Sequence, residues 1–174
     1  MPSSHLVDAI DRLDPIPYIG DVYRHVAAGR HPLSGAGARS LGGRWNPPQS
    51  FATLYLADRK ATVEAEFQRM ARRQGLSPSS FLPRRLNRLE IELQAVIDLT
   101  EPQTLPEALA GVDFGSDNLT ATQAIGEAAQ YLGREGILAP SAAGDGKVLA
   151  VFIDRLMPDS RVDDIDFEVW TESP

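Results

Sequence analysis

Hydrophobic and polar residues alternate most regularly between positions 86 and 99, where Leu89, Ile91 and Leu93 are separated by Glu90 and Glu92. A period of two puts one face of a strand on a core and the other in water, so the spacing predicts a half-buried antiparallel strand. Weaker alternation predicts a strand over 21–27, and Ile165, Phe167 and Val169 mark a last one. Short apolar runs at 54–57, 137–139 and 148–153 read as further strands. A different period governs 119–134. There Ala121, Ala124, Ile125, Ala128, Ala129 and Leu132 fall on one side of a 3.6-residue repeat, which predicts an amphipathic helix stopped by Gly136. Asp58 is placed to cap a helix running to about Arg73, with Gly75 at its end. Residues 1–14 suggest a short helix ended by Pro15 and Pro17, and Thr104-Leu105-Pro106-Glu107 opens another. Residues 29–43, 77–83 and 113–118 lack periodicity and read as loops; the first is long, and long loops tend to be functional or mobile. The elements together predict one α+β domain over 1–174, mostly antiparallel sheet with packed helices, whose motif-bearing core spans about 21–153.

Composition narrows what such a domain does. A chain of 174 residues with 43% hydrophobic content can bury a sizeable core. The formal net charge of −7 argues against broad electrostatic binding to nucleic acid, so no direct nucleic-acid contact is expected. Arg69, Arg72, Arg73, Arg84, Arg85 and Arg88 form a local basic run, read as a solvated helix end and strand start. With no cysteine there is neither a disulfide framework nor a thiolate nucleophile. No apolar stretch is long enough for a membrane span, and the acidic N-terminal residues Asp8, Asp11 and Asp14 do not fit a secretory signal. A cytoplasmic location is the expectation.

Candidate chemistry centres on Gly42-Gly43-Arg44-Trp45-Asn46-Pro47-Pro48. Paired glycines allow positive φ or close backbone approach, and the Asn-Pro-Pro run forces a stiff, non-helical exit. A guanidinium beside such a loop suits phosphate, which it grips with paired hydrogen bonds. Arg44, Tyr55 and Glu66 follow at intervals of 11 residues. On the helix after Asp58, Thr62, Glu66 and Arg69 or Met70 share a face, whereas Glu64 points elsewhere. The stretch therefore reads as one wall of a site for a phosphate-bearing ligand. Other devices are missing: there is no nucleotide-binding glycine loop, no nucleophile elbow around Ser141, and no metal-ligand spacing among His5, His25 and His31. Each remaining candidate also has a structural reading. Arg24 suits a strand surface, Arg44 a stack on Trp45, Tyr55 a core, Glu66 a solvated helix face and Ser141 a turn cap.

The pattern as a whole resembles a family. The segment Leu33 to Pro48, then Leu54-Tyr55-Leu56-Ala57, Glu66, Thr122-Gln123-Ala124-Ile125-Gly126-Glu127 and Gly136 to Ser141 is similar to RES domain toxins of bacterial RES–Xre toxin–antitoxin pairs. The resemblance implies a fold like that of ADP-ribosyltransferases and diphtheria-type toxins, and an activity that consumes NAD+ by cleaving its nicotinamide–ribose bond. By position, Arg24 and Arg44 match the family's arginines, Tyr55 its tyrosine and Glu66 its glutamate; Ser141 or Thr120 matches its serine. Where many relatives carry an Asn before the next strand, this chain has Asp145-Gly146-Lys147. Catalytic roles then fall to Glu66, Arg44 and Tyr55, and substrate binding to Arg24, Arg44, Tyr55 and Ser141 or Thr120. NAD+ is substrate rather than cofactor, with phosphate or water as acceptor and no metal expected. The resemblance further implies growth arrest and a heteromeric complex with a small helical Xre-like antitoxin. Mono-ADP-ribosylation of a protein and a catalytically inert binding module are the alternative readings.

Overall fold

The alternating stretch around Leu89 becomes the strand to which most of the sheet attaches. In the computed structural model, which describes residues 1–172, the elements are α1 (Ser4–Asp11), β1 (Ile16–Ala27), α2 (Ala36–Leu41), β2 (Thr53–Ala57), α3 (Lys60–Arg73), β3 (Arg84–Asp98), α4 (Glu107–Ala110), α5 (Thr120–Tyr131), β4 (Gly136–Pro140), β5 (Lys147–Phe152) and β6 (Arg161–Trp170). The strand order is β1-β2-β5-β4-β3-β6, and β1 also pairs with β3. Five strands thus return on themselves as a closed ring, with β6 attached outside on β3. The length of β3 makes this workable. One edge carries β1 from Arg84 to Val96, while the other takes β6 as far as Glu92 and then β4 from Val96. The fold is mixed α+β with packed helices, as the patterning predicts. One detail differs: β3 runs parallel to β4, because α4 and α5 supply the crossover that a parallel pair needs. The shortest pairing in the ring is the β1–β2 seam, where Tyr23 lies opposite Ala57.

Three apolar clusters hold these elements. Beneath α1, α4 and α5 lie Ile10, Trp45, Ile97, Leu109, Ile125 and Phe152. Val22, Leu54, Leu56, Leu89, Ile91 and Val151 knit the strands together. Under α3, Phe67 packs with Val63, Leu86 and Trp170. Phe67 is fully buried, which is worth roughly 1.5–3 kcal/mol for a side chain of this kind.

Several boundaries fall elsewhere than the patterning predicts, each for a local reason. β1 begins at Ile16 rather than at 21, and Pro17 sits at the register slip between Ile16 and Tyr18, where its missing N–H is tolerated. The stretch 29–43 contains α2 and is not loop throughout. Asp58 does not cap α3; its Oδ1 accepts instead from Thr62 Oγ1 at 3.1 Å and from the Lys147 N–H at 3.0 Å, and Arg59 occupies the cap position. Gly75 does end that helix, at φ 66°, with the Leu76 N–H donating to the Ala71 carbonyl at 3.1 Å. The equivalent stop for α5 is Gly133 at φ 72°, not Gly136. Gly136 opens β4 instead, where an added Cβ would fall 2.4 Å from the Ala150 carbonyl oxygen. Ile165, Phe167 and Val169 alternate in β6 as expected, but that apolar face is exposed.

The turn between α5 and β4 carries a buried carboxylate. Glu135 is wholly inaccessible, and its Oε2 accepts the Gln94 and Ala95 N–H groups at 2.6 and 2.8 Å while Oε1 accepts the Met157 N–H at 2.9 Å. Burial pushes its pKa up, but these N–H donors outweigh that and hold it below the usual carboxylate value. Glu135→Ala, which leaves those donors unpaired, is expected to cost about 3–5 kcal/mol in urea unfolding at neutral pH. Because the folded pKa is the lower one, the stabilisation is complete above the unfolded value of about 4.3 and is lost as pH falls through the folded value. The variant's stability should vary less over that acid range than the parent's.

Candidate active site

The glycine-arginine motif forms a tight turn between α2 and β2. The Gly43 N–H donates to the Asn46 carbonyl at 2.9 Å, and the two residues face each other as an isolated bridge. Tyr55, projecting from β2, clasps this turn. Its Oη accepts the Trp45 N–H at 2.8 Å and donates to Asn46 Oδ1 at 2.7 Å. Gly43 lies so close to the ring that an added Cβ would sit 2.4 Å from Oη. Asn46, fully buried, uses its Nδ2 to donate to the Ala38 carbonyl at 2.7 Å, tying the turn back to α2. α5 presses from the other side. Gln123 Nε2 donates to the Gly43 carbonyl at 3.0 Å, and one turn later a Cβ on Gly126 would come within 1.8 Å of the Trp45 carbonyl oxygen. Only glycine permits that approach. Trp45 is buried and packs against Phe114, with ring centroids 5.6 Å apart.

These contacts leave the Arg44 side chain at a cleft of about 700 Å³ beside the β1–β2 seam. Arg24, Arg44, Tyr55 and Glu66 all line it. Glu66 comes from α3, and of the two glutamates on that helix it is the one that lines the cleft. Ser141 meets it from the end of β4: its Oγ donates to Glu66 Oε1 at 2.6 Å and accepts the Ala143 N–H at 3.1 Å. Ser141 is itself held by its N–H, which donates to the Gly146 carbonyl at 2.9 Å. Gly146, at φ 107°, fits against α3 where a Cβ would lie 2.1 Å from Thr62 Oγ1. Asp145-Gly146-Lys147 thus fastens the serine's loop to the helix that carries Glu66. Neither Ser141 nor Thr120 lines the cleft directly, although their neighbours Pro140, Ala142 and Leu119 do; Thr120 is exposed at the start of α5.

Arginines dominate the electrostatics. Arg44 Nη1 donates to the carbonyls of Phe114 and Ser116, both at 2.7 Å, so its guanidinium goes to the 113–118 loop rather than onto Trp45. Burial, followed by repulsion from Arg69, lowers its pKa. Arg24 reaches the Pro32 and Ser34 carbonyls, and burial followed by Arg84 brings its pKa down to about 10. Both remain cations at neutral pH. His25 next to it is held down to about 3 by burial, then by Arg84 and Arg24, and is neutral; its Nδ1 accepts from Arg84 Nε at 2.6 Å. Burial raises the Tyr55 hydroxyl, which stays protonated.

Two functional candidates escape the motif reading. Arg69 and Arg73, taken from the sequence as part of a solvated helix end, also line the cleft. The signal was present, since 66, 69 and 73 are spaced i, i+3, i+7 on one helix face. The other four arginines of that run lie outside the cleft lining, with Arg88 paired to Asp21 and Asp166 and Arg85 3.8 Å over the Phe167 ring. Among the described residues no group of His, Cys, Asp or Glu could hold a metal ion, and no helix is long and apolar enough to cross a membrane. A cluster of guanidiniums around one hydrogen-bonded carboxylate can bind an anionic ligand and stabilise positive charge developing near its centre.

A positively charged cleft walled by a glycine-arginine turn and a glutamate helix, on a strand ring, is the setting in which the family becomes apparent: the chain belongs to the RES domain family, whose model matches residues 21–170. It is 37% identical over 156 residues to the NAD(+) phosphorylase MbcT of Mycobacterium tuberculosis and of Mycobacterium bovis, covering 88% of this chain and 84% of theirs. It also superposes with a TM-score of 0.85 and 32% identity on a chain of the crystal structure of the M. tuberculosis MbcT–MbcA toxin–antitoxin complex, covering 97% of this chain and 93% of that one.

Two substitutions probe the clasp on the turn. Tyr55→Phe keeps the ring but strands the Trp45 N–H and Asn46 Oδ1, and is expected to cost about 1–3 kcal/mol. Gly126→Ala should cost about 1–3 kcal/mol or more, because a methyl group cannot fit beside the Trp45 carbonyl. Urea unfolding measures both, and a Gly126→Ala protein as stable as the parent would contradict the close approach.

Proposed function

We propose that this protein is a toxin of a toxin–antitoxin pair that consumes NAD+ by cleaving the nicotinamide–ribose bond, with phosphate as acceptor. The observation that carries the reading is that Glu66 and the guanidiniums of Arg24 and Arg44, 22 or more residues apart in sequence from the carboxylate, line one cleft. The identity to an NAD(+) phosphorylase over most of both chains supports it further.

The chemistry follows from charge. Nicotinamide in NAD+ is a cationic leaving group that departs neutral, so no strong general acid is required. Departure leaves positive charge on the ribose, an oxocarbenium-like state that a carboxylate stabilises. Glu66 fills that role. Ser141 fixes its Oε1 by the 2.6 Å hydrogen bond, so the carboxylate needs little reorganisation as charge develops. Ser141 rather than Thr120 therefore takes the family's serine role. Arg24 and Arg44 neutralise the diphosphate. Because the Tyr55 hydroxyl is engaged by the turn, this residue acts through its ring, as a wall against nicotinamide or ribose. NAD+ is the substrate in this reading. A complex with a small antitoxin is part of the same proposal, by analogy with the MbcT–MbcA structure.

The test is incubation with NAD+ and phosphate, with products separated by chromatography. Free nicotinamide with ADP-ribose 1″-phosphate is the expected outcome; ADP-ribose alone would make the enzyme a glycohydrolase. Label carried onto a protein would make it an ADP-ribosyltransferase, and NAD+ binding without loss an inert module. Glu66→Gln is expected to lower kcat by about 10²–10³ with the fold intact, whereas Glu64→Gln should be mild. If Glu64→Gln proves the more damaging, the assignment of Glu66 fails.

A further inference from the structure

Arg69 and Arg73 bring more positive charge to the cleft than Glu66 balances, and their contacts show what that charge is built to hold. Arg69 is anchored at one end, its Nη1 donating to the Ala142 carbonyl beside Ser141. Its Nη2 donates to the Gly115 carbonyl at 3.0 Å and to Asp117 Oδ1 at 2.7 Å. Arg73 Nε approaches the same Oδ1 at 3.6 Å. One carboxylate oxygen is therefore shared by two guanidiniums, as a phosphate oxygen would be. Asp117 is 68% exposed and Arg73 44%, while Arg69 is only 20% exposed. An ion pair this open to water is weak and readily screened, so an anion with more charge and more acceptor oxygens displaces it. Arg69 stays in place when that happens, because the Ala142 and Gly115 carbonyls hold it independently of Asp117, while Arg73 is carried to the cleft one turn further along α3.

We infer that Arg69 and Arg73 form a phosphate subsite beside Glu66, which Asp117 occupies as an internal counter-anion until a phosphate group replaces it. The role of that phosphate rests on the proposed function: it is either the free acceptor or part of the dinucleotide's diphosphate. Asp117 belongs to the same loop whose Phe114 and Ser116 carbonyls accept from Arg44. Displacing its side chain leaves the loop held through its carbonyls, by Arg69 at Gly115 and by Arg44 at Phe114 and Ser116.

Calorimetric titration of the full chain, without turnover, tests the subsite. Inorganic phosphate and ADP-ribose serve as separate probes at fixed ionic strength. Asp117→Asn removes the competitor and should tighten binding of the cognate probe by about threefold to tenfold, while Arg73→Gln should weaken it about tenfold. Arg69→Gln should weaken it at least as much, with circular dichroism and thermal unfolding to verify the fold. Arg73 is half-exposed and pairs with the exposed Asp117, so its variant keeps the test valid if Arg69→Gln misfolds. Effects on inorganic phosphate identify a free acceptor, and effects on ADP-ribose alone identify the diphosphate. Asp117→Asn binding both probes no tighter than the parent, or Arg73→Gln binding both equally well, would overturn the inference. Retained phosphate binding with no NAD+ consumption would overturn the proposed function and leave the subsite standing.

Discussion

The hydroxyl of Tyr55 is the interaction on which the cleft depends. A turn as tight as the one from Gly43 to Asn46 leaves backbone groups that cannot all pair within it, and burial makes an unpaired group costly. Tyr55 answers one of them, taking the Trp45 N–H, and with the same oxygen donates to the buried Asn46 side chain. The glycines on either side of the packing then allow β2 and α5 to close on the turn from opposite directions. Arg44 owes its position to this arrangement, since its own hydrogen bonds reach only the 113–118 loop. An aromatic residue that looks catalytic in the motif thus serves first as a structural brace.

Charge is distributed in the opposite sense to the chain as a whole. The net charge is −7, yet the cleft lining carries Arg24, Arg44, Arg69 and Arg73 against one carboxylate. Carbonyl groups from the neighbouring loops accept from the guanidiniums of Arg24, Arg44 and Arg69, which keeps these three solvated largely by protein. Such preorganisation favours a bound anion because the cations need not be gathered when it arrives. Acidic residues elsewhere leave the local field intact, since exposed charges beyond a Debye length are screened.

Much of this is legible in the sequence, and the exceptions have physical causes. The strands around Leu89 and Leu54 announced themselves because one face or both faces are buried. The helix through Ile125 did so through its 3.6-residue period. Its end was misread because Gly133 and Gly136 are both glycines, and sequence cannot tell a left-handed stop from a close approach in a strand. α2 was missed because Ala36–Leu41 buries no side chain and so shows no apolar stripe. In the cleft, Arg44 and Glu66 are visible as a spaced motif and Arg69 shares the face of Glu66, whereas the charge of Arg69 and Arg73 is hidden among six arginines of similar appearance. Their spacing from Glu66 on one helix face separates the two that line the cleft from the four that do not. Asp58 looked like a cap because of its position, but the Lys147 N–H lies 89 residues away in sequence and no local rule anticipates it.

β6 lies at the open margin of the sheet, where an unpaired strand invites another chain to add on. Its sequence places Asp163, Asp164, Asp166 and Glu168 along that margin. Two copies meeting there would bring acidic side chains together at short range, and the repulsion would oppose the pairing that the exposed Ile165, Phe167 and Val169 would otherwise encourage. The register slip where β6 meets β3 between Arg88 and Leu89 disturbs that margin further, so charge and an irregular edge both work against edge-to-edge pairing.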